Sequence, residues 1–218
     1  MRTAVLISGQ FRTGTYCFPS IKKHVLDRIG DYDVFAHLAD DADAKGIEDY
    51  KPLALWVGPQ PTLDEKNYIH RTGRQVFGVQ QCLRMWRSMH EVWKMAQQSG
   101  IGYDWVIRLR PDTQFFNDIE NLGERAPGVH IPKHNNWWGY CDRFAYMRFE
   151  HAPAYHSLFP GLDHYIMQGG IFHPETYLKW TLDSKGVPVH RTGVVFDTVR
   201  PSGDRILPHY TKQTLDVG

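Results

Sequence analysis

The run Tyr103-Asp104-Trp105-Val106-Ile107-Arg108-Leu109-Arg110-Pro111-Asp112 restricts the fold more than any other part of the chain. Residues 105–109 have the length and the aromatic and β-branched content of a core strand. Alternation places Trp105, Ile107 and Leu109 on one face and Val106, Arg108 and Arg110 on the other. Pro111 has no N–H to give to a ladder, so the strand stops there or becomes an edge. The longest helical pattern, residues 79–99, leads into this strand. Cys82, Trp86, Met89, Trp93 and Ala96 recur along it at helical spacing as a core face, and Gly100 is its stop. Earlier, residues 3–8 and 33–38 read as strands around an amphipathic helix. Phe18, Ile21, Val25 and Ile29 form its stripe, Lys22, Lys23 and Asp27 face water, and Gly30 closes it. Residues 53–57 read as a third strand, closed by Gly58-Pro59-Gln60-Pro61, and residues 62–78 as a loop. Strand and helix in alternation predict an α/β fold with right-handed crossovers and a mostly parallel sheet.

Open α/β sheets bind ligands beyond the carboxyl ends of their strands. Arg110 and Asp112 fall at such an end. Two guanidinium groups beside a carboxylate are costly near a core unless each finds a partner. Either Arg110 and Asp112 form an internal ion pair that fixes the loop, or the group receives a diphosphate and its divalent cation. Ser8-Gly9-Gln10-Phe11-Arg12-Thr13-Gly14 follows the first strand and offers backbone for close approach, with Arg12 as a phosphate partner. It is neither a GxGxxG nor a Walker loop, and an ordinary βα turn accounts for it equally well. Asp40, Asp41 and Asp43 follow the second strand, either with one of them as a contact to a base or ribose or together as a solvated turn.

Composition removes several classes. The 218 residues suit one domain, with 42% hydrophobic and 22% charged residues. A net charge of +1 gives no field for non-specific nucleic-acid binding. Cys17, Cys82 and Cys141 are odd in number, far apart and without a CxxC pair, so neither a disulfide framework nor a cysteine zinc site is indicated. None of the twelve histidines has a metal-ligand spacing. The run Ala4-Val5-Leu6-Ile7 is too short for a signal or a membrane span, which makes a reduced cytoplasmic location the expectation.

Beyond residue 112 the pattern changes, dividing the single domain into halves 1–112 and 113–218. Residues 129–131 and 144–147 are short strand-like pieces around the loop His134-Asn135-Asn136-Trp137-Trp138-Gly139-Tyr140. Trp137, Trp138 and Tyr140 beside asparagines have the composition of a sugar-stacking platform, or of a loop pinned to the core by its tryptophans. Asp142 could accept a hydrogen bond from an incoming hydroxyl or pair with Arg143. Residues 151–159 read as a short helix ended by Pro160-Gly161, and Met167-Gln168-Gly169-Gly170 as backbone-close. Pro174 opens a further helix with Glu175 in its first turn, where a carboxylate is favoured anyway, and Gly186 ends it. Residues 187–190 and 194–200 read as the last strands. Arg205, His209 and Lys212 in the tail could fold over an anion.

Four segments together resemble small glycosyltransferases of the GT-A fold, found in bacterial surface-polysaccharide clusters and in large DNA viruses such as chlorella viruses. They are Ile7-Ser8-Gly9-Gln10-Phe11-Arg12, Asp33-Val34-Phe35, the Tyr103 to Asp112 run and Asp142-Arg143-Phe144-Ala145. The resemblance implies a GT-A-like nucleotide sandwich with a mostly parallel central sheet, flanking helices and a mixed C-terminal half. It implies a nucleotide-sugar donor, most often a UDP-sugar, a glycan or other hydroxyl acceptor, and Mn²⁺ or Mg²⁺. In that family an Asp-x-Asp motif holds the cation. Here the matching triplet is Arg110-Pro111-Asp112, leaving Asp112 as the one metal ligand or Arg110 in place of part of the metal's charge. Ser8, Gly9, Gln10, Arg12, Asp40, Arg108 and Arg110 would bind the donor, and Trp137, Trp138 and Tyr140 the acceptor. Asp142 and Glu175 are the candidate bases, Glu175 for its position at a late helix start. A nucleotidyltransferase, a non-catalytic carbohydrate-binding protein and a metal hydrolase are the rival readings.

Overall fold

The computed structural model describes residues 1–41, 43–71, 78–202 and 205–206. The tail residues His209 and Lys212 lie outside them. The elements in chain order are β1 (Arg2–Gly9), α1 (Gly14–His24), β2 (Asp31–Ala39), β3 (Ala54–Gly58), α2 (Val79–Gln98), β4 (Trp105–Leu109), β5 (Thr113–Phe115), β6 (Val129–Pro132) and β7 (Phe144–Arg148). They continue with α3 (Ala152–His156), α4 (Leu158–Met167), α5 (Pro174–Ser184), β8 (Val189–Thr192), β9 (Phe196–Val199) and β10 (Arg205–Ile206). Seven strands form one sheet in the order β3-β2-β1-β4-β7-β6-β8, and β10-β9-β5 form a small second sheet. In the large sheet β1, β2, β3 and β4 run parallel, and β7 alone is reversed between β4 and β6. The chain is thus α/β, with a mostly parallel sheet flanked by helices.

Burial explains the centre of that sheet. All five residues of β4 are buried, as a strand covered on both faces requires. On α2, Leu83, Trp86, Met89, Val92, Trp93 and Ala96 are buried, and this face packs on β1 and β2. The route β1, β2, β3 runs outward in one direction; α2 then brings the chain back to place β4 on the other side of β1. Strand order therefore reverses between β1 and β4. Ile7 lies opposite Leu109, so the two strands release their loops side by side. Pro111 ends the large-sheet ladder as expected, and β5 crosses into the small sheet against β9.

Several boundaries differ from the expectation. The first helix ends at His24, and Val25 and Ile29 complete its apolar stripe around a 3₁₀ turn at Leu26–Arg28. Pro160 and Gly161 do not end a helix; they lie inside α4. Pro160 is its third residue, where an N–H has no intrahelical acceptor and its absence costs little. Instead the stop falls at Ser157, between α3 and α4. The second half of the chain is no separate layer, since β6, β7 and β8 extend the same sheet as β1 to β4. No helix among the described residues is long and apolar enough to cross a membrane.

Trp86 is the largest fully buried side chain of α2, with Phe172 and Tyr177 edge-on at 5.1 and 5.3 Å. Trp86→Ala should lower unfolding stability by about 3–5 kcal/mol in urea titration. Trp86→Phe should retain most of it.

Candidate active site

A cleft of about 620 Å³ opens where the strand order reverses. Ser8, Gly9, Gln10 and Arg12 from the loop after β1 line it, with Arg108 and Arg110 from the end of β4. Asp142 and Arg143, just before β7, and Glu175 of α5 line it as well. Gly9 has φ +112°, which a side chain would strain. Phe11 is fully buried, and its N–H donates to the Asp41 carboxylate at 2.9 Å. These two contacts pin the loop and hold Arg12, itself at φ 48°, over the strand end. Asp41 is thus a brace. Asp40 is exposed and does not line the cleft; its N–H bonds Gly58 at the end of β3.

Arg108 is the least conventional group in the molecule. It is 0% exposed, and its Nη1 donates to the Leu109 carbonyl at 2.6 Å. Its Nε and Nη2 have no hydrogen-bond acceptor among the described residues. Burial, reinforced by the nearby Arg110 charge, pushes the guanidinium down to about 10. Arg143, 8% exposed, likewise has an unaccepted Nη1. The hydroxyl of Ser8 at the cleft edge also has no partner among the described residues.

Arg110 and Asp112 form a two-point pair, Nε to Oδ1 at 3.0 Å and Nη2 to Oδ2 at 2.7 Å. Arg12 Nη1 lies 3.6 Å from the same Oδ2. Burial opposes the charge on Asp112, but Arg110 and then Arg12 outweigh it and hold the carboxyl below its usual range. Asp112 is 1% exposed and does not line the cleft. The internal ion pair is therefore present. A divalent ion does not fit this donor set, because both carboxylate oxygens face guanidinium groups.

Asp142 is 4% exposed and has neither a hydrogen bond nor an ion pair with Arg143 among the described residues. Glu175 occupies the first turn of α5 at 3% exposure, and its Oε2 accepts no hydrogen bond there. Burial and the neighbouring Asp142 push its carboxyl up to about 8, against the pull of Arg143 and Arg110. The nearest basic atom, His173 Nδ1, is 3.7 Å away, and burial favours neutral imidazole there.

Trp137, Trp138 and Tyr140 do not line this cleft. Their loop crosses the start of α5: Tyr140 N–H bonds the Glu175 carbonyl at 2.9 Å. A Cβ on Gly139 would collide with that same carbonyl. Asn135, Trp137 and Trp138 have φ of 57°, 37° and 66°, a forced path that leaves Trp138 75% exposed, 5.8 Å from His173. Tyr140 has a structural post instead. Lys179 and Arg191 approach its ring at 5.0 and 5.7 Å, and its hydroxyl reaches Asp183 at 3.2 Å.

Sequence reasoning missed Arg200, which lines the cleft beside Arg110 and Arg12. Burial and those two charges disfavour its protonated form. A signal existed: Arg200-Pro201 repeats the Arg110-Pro111 grammar of a strand ending in arginine and then proline. It also missed His37, Trp56, Arg84 and Arg87, which line the cleft too. Trp56 stacks on His37 at 4.1 Å, and His37 is fixed by Ser88 at 2.9 Å. No family model matches the chain, and no curated protein is similar to it in sequence.

Because the folded Glu175 carboxyl binds its proton more tightly than the ordinary 4.5, its burial weakens the fold as pH rises from 4.5 through about 8. Glu175→Gln should therefore raise the Tm above pH 8 and leave it nearly unchanged below pH 4.5. A pH series of thermal melts reads this directly.

Proposed function

We propose that the chain is a glycosyltransferase of GT-A-like architecture, moving a sugar from a nucleoside-diphosphate donor to a hydroxyl acceptor in this cleft. One observation carries the reading. A fully buried guanidinium with two unaccepted nitrogens lines the cleft at the strand reversal, together with two buried carboxyl groups. Such an arrangement is expensive without an anion, and an α/β sheet receives phosphates at that place.

The chemistry follows from where charge develops. When the bond from the anomeric carbon to the donor phosphate breaks, negative charge collects on the departing diphosphate. Arg108, Arg12, Arg143 and Arg200 supply donors already fixed in a poorly solvated site, where they lower the barrier most. A proton must also leave the acceptor hydroxyl. Glu175 retains its own proton at neutral pH, so it serves as a hydrogen-bond donor to a substrate oxygen. Asp142 takes the acceptor proton. Trp138, exposed near the start of α5 though not part of the cleft lining, offers the flat face on which an acceptor ring would stack.

Incubation with UDP-, GDP- and dTDP-sugars should release the nucleoside diphosphate, with or without transfer to an added glycan. Absence of both release and binding for every donor sinks the reading. Asp142→Asn should lower kcat by roughly 10²–10⁴-fold while the donor KM stays within a small factor. Trp138→Ala should raise the acceptor KM and leave donor binding unaltered; a fall in thermal stability alone would make the residue structural.

A further inference from the structure

The charge around the strand reversal is unbalanced in one direction. Arg12, Arg108, Arg110, Arg143 and Arg200 gather there, against Asp112 and Asp142. Arg110 already answers Asp112 at both oxygens. What remains unanswered is cationic: Nε and Nη2 of Arg108, Nη1 of Arg143, and an Arg200 guanidinium repelled by its neighbours. The walls carry seven arginines and no lysine among the described residues. Guanidinium groups give planar two-point donation to phosphate oxygens and keep their charge when buried. A divalent ion has the opposite needs. Magnesium would take carboxylate oxygens at about 2.0–2.1 Å, and here it would have to displace Arg110 and settle beside Arg12. It would add positive charge where positive charge is already in excess.

We propose that this cleft binds a diphosphate without any divalent cation, the Arg110–Asp112 pair standing where such an ion would otherwise lie. In this arrangement Asp112 is a positioning residue. It holds Arg110 and steers Arg12, while Arg108, Arg143 and Arg200 contact the anion. The inference rests on the reading of the cleft as a donor site, and it names the means by which the leaving group is stabilised.

The test is calorimetry on the full chain stripped with EDTA, using inorganic pyrophosphate and UDP, GDP or dTDP as probes, repeated with added Mg²⁺ or Mn²⁺. Both kinds of probe should bind in EDTA, and metal should not tighten them. Arg200→Gln, a partly exposed position, should weaken pyrophosphate by roughly tenfold in EDTA, the loss of one charged hydrogen bond. Asp112→Asn should leave the response to metal flat. If the variant fails to fold, pyrophosphate-induced thermal stabilisation of the unmodified chain in EDTA gives the same answer. Tightening by tenfold or more on adding metal (about 1.4 kcal/mol) overturns the inference but leaves the glycosyltransferase reading standing. Pyrophosphate binding in EDTA without binding of any nucleotide supports the inference and removes that reading. Binding of neither probe in either arm overturns both.

Discussion

The Arg110–Asp112 pair joins three parts of the chain that are distant in sequence. Its carboxylate faces Arg12 of the loop after β1, and its own backbone follows β4. The Asp112 carbonyl accepts the Val199 N–H at 2.9 Å, while Thr13 Oγ1 donates to the Val199 carbonyl at 2.8 Å. The loop after β1, the end of the central strand and the end of β9 therefore meet around one residue, Asp112, Arg12 at its carboxylate and Val199 at its backbone carbonyl. Removing one partner of such a pair leaves an uncompensated buried charge, which is worth far more than the net value of the pair itself. Such a pair fixes the position of Arg12 and Arg110 more than it adds stability.

Two buried carboxyl groups that line the cleft sit in different surroundings. Glu175 sits at a helix amino terminus, whose dipole favours the charged form. Burial and the proximity of Asp142 outweigh that preference. Asp142, for its part, attracts Arg108 and Arg110 electrostatically. A carboxyl group that holds its proton more tightly than usual would suit the hydrogen-bond donor role proposed for Glu175.

Much of the fold was legible because periodicity is a local signal. The β4 boundaries and the start of α5 at Pro174 lie where the sequence placed them, since a core strand and an N1 proline carry their reasons within a few residues. What was not legible depends on pairing at long range. Nothing within Phe144–Arg148 says that it inserts beside β4 and reverses direction. The site divided similarly. Ser8, Gly9, Gln10, Arg12, Arg108, Arg110, Asp142 and Glu175 converge on one cleft, because strand-end position is readable from a local pattern. Asp40 and the aromatic loop fall outside it, since the direction of a loop side chain is set by neighbours that composition does not reveal. Tyr140 illustrates this: its aromatic face meets Lys179 and Arg191, both about forty or more positions later in the chain.

A lining that holds seven arginines and no lysine among the described residues has a practical consequence for handling the protein. Reagents that couple to primary amines will decorate Lys22, Lys23, Lys45 and other exposed lysines without entering the cleft, because its described walls present no amine. Tethering to a sensor surface through these groups should therefore leave the mouth chemically untouched. Dicarbonyl reagents, which react with guanidines, will reach the partly exposed members of that lining.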